Sequence, residues 1–255
     1  MTLILEDLPG LMDRMRWPVA ARLMRRWFGG PAWPMPGELK EPRTRPALSR
    51  ISRVHIDDQI VTMAWARRFP RVGEAMSRLD LLWASPAGRG LLRDRIDRLP
   101  MRMSESPWQF GDLGAGAVVV DDCYGALGRV TMKIAVSGMV MTQGSDRVIE
   151  VDRTGIYILD TYEFLDDQPL GHWNRDGISR SRVTAAMDLL GTSLHPDIPL
   201  SRPAGDPGTS ADDGTYAVSN RSFRNWRDAN GRGADFFVVS DVAITRLPTP
   251  VRITI

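Results

Sequence analysis

The sequence predicts an α+β fold, with a helical part over residues 1–100 packed on an antiparallel β-sheet over residues 101–255. Two observations lead there. Before Pro100 apolar residues recur at spacings of three and four, whereas after it they alternate. The strand-like runs also succeed one another at hairpin length, without the intervening helices that a parallel sheet needs. Such a sheet is expected to curl into a half-barrel or fold into a sandwich, with Trp27, Trp65 and Trp83 joining the helices to it.

Leu3–Met15 reads as a short amphipathic lead-in broken at Pro9-Gly10. Pro18 suits the first position of a helix, on which Val19, Leu23, Met24, Trp27 and Phe28 share one face and Gly29-Gly30 makes the stop. Arg22, Arg25 and Arg26 lie off that stripe and are expected to be exposed. Prolines at 31, 34, 36, 42 and 46 mark residues 31–53 as a linker. A helix is expected to begin near Asp57 and end before Pro70. A second carries Val72, Ala75, Met76, Leu79, Leu82 and Trp83, and a third comes after the Ser85-Pro86 start. Beyond Pro100, strands are expected at Val118–Val120, Val130–Met141 and Arg147–Leu159, the last with a bulge or turn at Asp152–Gly155. Ser181–Leu190 reads as a short helix and residues 191–215 as a long loop. Asn220 is the expected cap of a brief helix ended by Gly231 and Gly233. A strand over Asp235–Leu247 then precedes a final one at Val251–Ile255, with Pro248 and Pro250 between them.

Hydrophobic residues make up 43% of the 255 and charged residues 25%, enough for a sizeable core. No apolar run approaches the roughly 20 residues that span a bilayer, so no transmembrane segment is expected. MTLILEDLPG carries neither a cationic leader nor a long apolar stretch. Cytoplasmic synthesis is therefore expected, with any export taking a route that ignores secretory signals. The single cysteine, Cys123, excludes an intramolecular disulfide and a Cys-cluster metal site. Charge is uneven: residues 1–100 hold 18 basic and 11 acidic groups, and the remainder 15 and 20. Lysine occurs only at Lys40 and Lys133, and the other 31 basic residues are Arg. No basic run is interleaved with aromatics, so no specific nucleic acid partner is expected.

The chemistry-bearing residues concentrate in Asp160–Asn174, DTYEFLDDQPLGHWN, which holds four acids, a Tyr, a His and a Trp. On a strand leaving the sheet, Asp160 and Tyr162 face one way and Glu163 the other, while Pro169 and Gly171 turn the chain toward His172. Acids with one His suit general acid–base work or divalent-metal hydrolysis. Asp160, Tyr162, Glu163 and His172 are accordingly the candidate catalytic residues. The pattern requires no cofactor, admits a divalent cation and specifies no metal. A structural reading stands beside this one: Tyr162, Phe164, Leu170 and Trp173 pin the loop, and Asp166-Asp167 is a turn. Arg224 and Arg227 lie three apart on one helical face, ahead of two glycines, and form a candidate anion-binding pair. Four acids so close together repel unless donors lie near, which makes these arginines their expected partners in a clamp beside a shallow cleft. The sequence contains no G-x-x-x-x-G-K-[ST], G-x-S-x-G or H-E-x-x-H, and His55, His172 and His195 lie too far apart for a His-rich cage.

Three blocks, RMRWPVAARLMRRWFGGPAW (14–33), GIYILDTYEFLDDQPLGHWN (155–174) and VSNRSFRNWRDANGRGADFFVVSDV (218–242), together resemble one proteobacterial family of unknown function. Its members are often encoded near type VI secretion genes. The family's middle motif reads D-x-Y-D-F-N-x-D-Q-x-L-G-x-W. Asp160, Tyr162, Phe164, Asp167, Gln168, Leu170, Gly171 and Trp173 keep it, while Glu163 and Leu165 depart. The same stretch is loosely similar to colicin M-type toxins, which cleave lipid-linked peptidoglycan precursors, except that Trp173 stands where those toxins have Arg. The resemblance implies an antibacterial effector with a hydrolase-like acidic site, partnered by the secretion apparatus or a cognate immunity protein. The alternative is a non-enzymatic adaptor or chaperone that binds a secreted effector. A membrane-damaging effector is least favoured, for want of a sustained apolar segment.

Overall fold

A computed structural model describes residues 5–41, 45–96, 108–115, 120–128, 130–178 and 216–254. Its helices, in chain order, are α1 (Leu8–Arg14), α2 (Pro18–Gly29), α3 (Gly37–Lys40), α4 (Met63–Ala66), α5 (Pro70–Leu82), α6 (Pro86–Ile96), α7 (Asp122–Leu127) and α8 (Asn220–Asn230). Its strands are β1 (Ile56–Asp57), β2 (Trp108–Ala115), β3 (Val130–Gln143), β4 (Asp146–Tyr162), β5 (Pro169–Asn174), β6 (Gly177–Ile178), β7 (Tyr216–Ser219), β8 (Phe236–Val239) and β9 (Ala243–Thr254). The fold is α+β, with helices leading and antiparallel strands dominating the C-terminal part. One sheet runs β1-β8-β4-β3-β2 with β9 also paired to β4, and a second runs β6-β5-β7. The helix expected over 181–190 and the loop over 191–215 lie outside the described residues, as do Val118 and Val119. Among the described residues no helix is long and apolar enough to cross a membrane.

The chain forms two compact units, each assembled from three stretches. The first comprises residues 1–56, 118–128 and 161–237. In it α2 buries the stripe read from the sequence: Val19, Leu23, Met24, Trp27 and Phe28 are all 7% exposed or less. Proline sits in the first turn of both leading helices, because its missing N–H falls where no helical partner exists. Pro9, the second residue of α1, therefore lies within its first turn and does not break it. The N–H groups of Val19 and Ala20 at the start of α2 are satisfied from outside. Both donate to the buried Asp122 carboxylate of α7, at 3.1 and 2.9 Å. An anion at that helix end also complements the macrodipole. Helix α7 was not expected, and Asp121, accepting from the Tyr124 N–H at 3.0 Å, caps it. Cys123 is buried there.

The second unit comprises residues 57–117, 129–160 and 238–255. Strands β2, β3 and β4 form an antiparallel meander, with α5 against β2 and β3 and α6 against β2. Trp65 and Trp83 are buried in this unit, as Trp27 is in the first. The expected bulge in β4 exists and sits at Asp152. Register jumps across that residue both toward β3 and toward β9, so it opposes no single partner. Opposite it, β9 carries residues 247–250 out of register and continues. Pro248 and Pro250 thus fall in the unpaired bulge of one strand and do not divide two, because a proline needs no ladder donor there. The helix expected to begin near Asp57 starts later, at Met63. The Asp57 carboxylate accepts from the N–H groups of Gln59 and Ile60 at 3.2 and 2.8 Å, a local turn that competes with helix. Helix α4 begins later, capped by Thr62.

Candidate functional site

Helix α8 organises the acidic stretch in the first unit. Its N-cap is Ser219, in a capping box with Ser222, one residue earlier than the expected Asn220. Asn220 instead grips the acidic loop. Its N–H donates to the Gln168 carbonyl at 3.0 Å, and its side-chain amide donates to Asp166. The next residue, Arg221, and Arg224 one turn along both pair with Asp167. Arg224 also donates to the carbonyls of Phe164, at 3.0 Å, and Asp166. The loop is thereby held through backbone as well as carboxylates. Hydrogen bonds from Arg221 and Arg224 hold the Asp167 carboxyl below its ordinary range.

Aromatic rings fix the loop from beneath. Phe164 stacks on Phe223 of α8 with centroids 3.9 Å apart and planes 3° from parallel. The edge of Trp27 meets both rings, at 5.0 and 5.3 Å. Tyr162 stacks on Phe236 at 5.2 Å, and burial pushes its hydroxyl up from the ordinary phenol range. Further along, Gly171 turns the chain with φ +101°. Trp173 then donates to the Leu170 carbonyl at 3.1 Å and meets Trp17 edge-on.

The deepest polar feature lies under the same helix. Asp235 is 0% exposed and accepts from Trp27 Nε1 and the Met35 N–H, both at 2.9 Å, and from Arg227. The Arg227 guanidinium lies over the Trp27 ring, 5.1 Å from its centroid. Burial pushes the Asp235 carboxyl up; the two neutral donors and the Arg227 charge pull it back. Gly231 ends α8 in the left-handed region with φ +62°. Gly233, at φ +103°, brings the backbone so close to Trp27 that a Cβ there would meet the ring at 2.6 Å.

The sequence-predicted residues separate along these lines. Arg224 reaches the acidic loop, as the clamp expectation requires, while Arg227 turns inward to Asp235. Their shared helical face does not give them a shared partner. Glu163 accepts from the Leu165 N–H at 2.8 Å and pairs with Lys40 at 2.7 Å. Tyr162 is turned into the aromatic cluster. His172 is half-buried on β5, paired across the ladder with Ala217, and its Nδ1 is buried. Asp160 belongs to the second unit, where it accepts from the Thr131 N–H at 3.4 Å. Among the described residues no three His, Cys, Asp or Glu side chains are grouped to hold a metal ion.

Four participants escaped the sequence reading: Asp235, Lys40, Asn220 and Arg221. Asp235 had a signal, since an acid directly ahead of the apolar run FFVV is about to be buried with it and needs a partner. Lys40 had none, because 122 intervening residues separate it from Glu163. No curated protein and no solved structure matches the chain. A family model does match, over residues 3–255, and the protein belongs to that family, a family of unknown function (DUF6402).

Proposed function

We propose that the protein is a non-enzymatic adaptor that binds a secreted effector in a type VI secretion context. The observation that carries this reading is the commitment of the acidic stretch to structure. Asp166 and Asp167 are engaged by Asn220, Arg221 and Arg224, and Glu163 by Lys40 and a backbone N–H. A general base needs an available lone pair, and a general acid needs a pKa near the working pH. Glu163 already serves two donors, and burial carries Tyr162 away from that range. Five of the motif letters of the resembled family have structural explanations in this chain. Tyr162, Phe164 and Trp173 fill aromatic contacts, Asp167 pairs with Arg221 and Arg224 of α8, and Gly171 takes the positive φ. Such a motif preserves a docked loop, and so a shaped surface for a partner. The link to secretion rests on the resemblance alone.

Deleting the protein from a strain with a working secretion apparatus tests the proposal. The effector encoded beside it is expected to be made but not exported, with export restored by the Tyr162→Phe variant. Unchanged export on deletion refutes the adaptor role. The competing hydrolytic effector requires intoxication of a target cell by this chain itself.

A further inference from the structure

We infer that His55 is a proton-operated cover on the Trp33 indole, leaving that ring when the imidazole takes up a proton. The inference is independent of the adaptor reading. The two rings stack face to face in the first unit, with centroids 3.6 Å apart and planes 15° from parallel. Both residues are half-buried. One of them is fixed and the other is not. Trp33 donates its N–H to the Gly233 carbonyl at 3.1 Å, and its carbonyl accepts from the Asp235 N–H at 2.9 Å. Asp235 is itself locked by Trp27, Met35 and Arg227. The backbone under the indole is thus tied to the most deeply buried polar group of the unit. His55 ends a single 3-10 turn, Arg53–His55. Among the described residues its ring nitrogens have no hydrogen-bond or ion-pair partner, so the stack alone holds the imidazole.

Charge decides what a proton does there. Facing the turn from α2 is Arg26, whose guanidinium donates to the carbonyls on either side of His55, those of Val54 and Ile56, each at 3.0 Å. The stretch that carries Trp33, Pro31–Met35, brings no charged side chain. On the histidine's own stretch the charged groups are Arg53, Asp57 and Asp58, and both carboxylates accept from Gln59 or Ile60. An indole face attracts a cation, which favours a stacked imidazolium. Burial and the Arg26 charge oppose one, and together they hold His55 below the ordinary histidine value of 6.5. The balance therefore favours a charged ring in water over a charged ring on Trp33. A ring free in water titrates at the ordinary value. The stack is accordingly complete above that value and gives way as pH falls through the lowered one. Release uncovers one face of an indole whose backbone stays in place.

The test is a proton–carbon NMR titration of the full chain from about pH 8 to about pH 5, the range in which histidine changes charge. The His55 signal is assigned by its loss in His55→Gln. In the neutral ring the Cε1 proton is expected to carry an upfield shift from the indole ring current. That shift is expected to collapse as the imidazole is protonated, while far-UV circular dichroism stays constant. Arg26→Gln and Trp33→Leu are each expected to raise the His55 midpoint toward the ordinary value, and Trp33→Leu to abolish the ring-current shift at every pH. A His55 that titrates at or above the ordinary value overturns the inference. So does a ring-current shift that persists in the protonated ring, or a midpoint that neither substitution moves. Loss of the far-UV signal over the same range overturns it as well, because the unit would then be unfolding and no side-chain cover would be at work.

Discussion

Replacing Asp235 by Ala is expected to remove most of the stability of the first unit. The carboxylate is 0% exposed and its partner Arg227 side chain 5% exposed, so water cannot readily take its place. Stranding one member of such a pair costs about 3–5 kcal/mol, mainly because the remaining charge is buried without compensation. Trp27 Nε1 and the Met35 N–H lose their acceptor in the same step, and an unsatisfied buried donor costs a further ~1–3 kcal/mol. A loss of at least about 4 kcal/mol is therefore expected, at the upper end for single substitutions. Urea unfolding followed by far-UV circular dichroism measures it. The double variant Asp235→Leu with Arg227→Met removes both charges and is expected to be more stable than Asp235→Ala alone, since apolar replacement of a buried pair is often nearly neutral. If Asp235→Ala costs under about 1 kcal/mol, or if the double variant is the less stable of the two, the reasoning from charge burial is wrong.

Gly233→Ala should destabilise by about 1–3 kcal/mol, because its φ of +103° and the Trp27 ring 2.6 Å from the new Cβ both oppose a side chain; thermal melting checks it. Arg22→Gln should leave the melting temperature unchanged, whereas Arg26→Gln should lower it. Arg26 donates to the carbonyls of Val54 and Ile56, each at 3.0 Å, and stands over Phe236. Acidification should release the Asp167 clamp in a defined direction. The folded carboxyl is held below its ordinary value, so its stabilisation is complete above that value and disappears as pH falls through the lowered one. Resonances of the Arg221 and Arg224 side chains should therefore stay constant near neutrality and shift only at strongly acid pH.

How much of the fold is legible in the sequence depends on how local each signal is. The buried stripe of α2 and the alternation of β3 rest on periodicity within one segment, and the structure contains both elements. The bulge at Asp152 is legible because polar residues and a glycine interrupt an apolar strand. The expected start near Asp57 fails because an Asx turn and a helix cap use the same residue types. Proline misleads twice, at Pro9 and at Pro248 with Pro250, because its meaning depends on whether the missing N–H would have had a partner. The pairing of Arg224 with the acidic loop is readable, since crowded carboxylates demand donors. Its neighbour Arg227 is not separable from it, because the burial that divides their fates comes from Trp27 and Asp235, brought in from both sides of the chain. No periodicity conveys that each compact unit draws on three stretches of sequence.

If the acidic stretch holds a binding surface and performs no hydrolysis, the chain should be harmless to a cell that makes it. Growth of bacteria expressing the wild-type chain, in the cytoplasm and again with an appended export signal in the periplasm, tests this most directly. Asp160→Ala and His172→Ala are expressed in parallel at matched levels. The predicted result is unimpaired growth in both compartments for all three proteins. Growth arrest by the wild type in either compartment, relieved by Asp160→Ala or His172→Ala, would contradict the non-enzymatic reading and assign those two residues to catalysis.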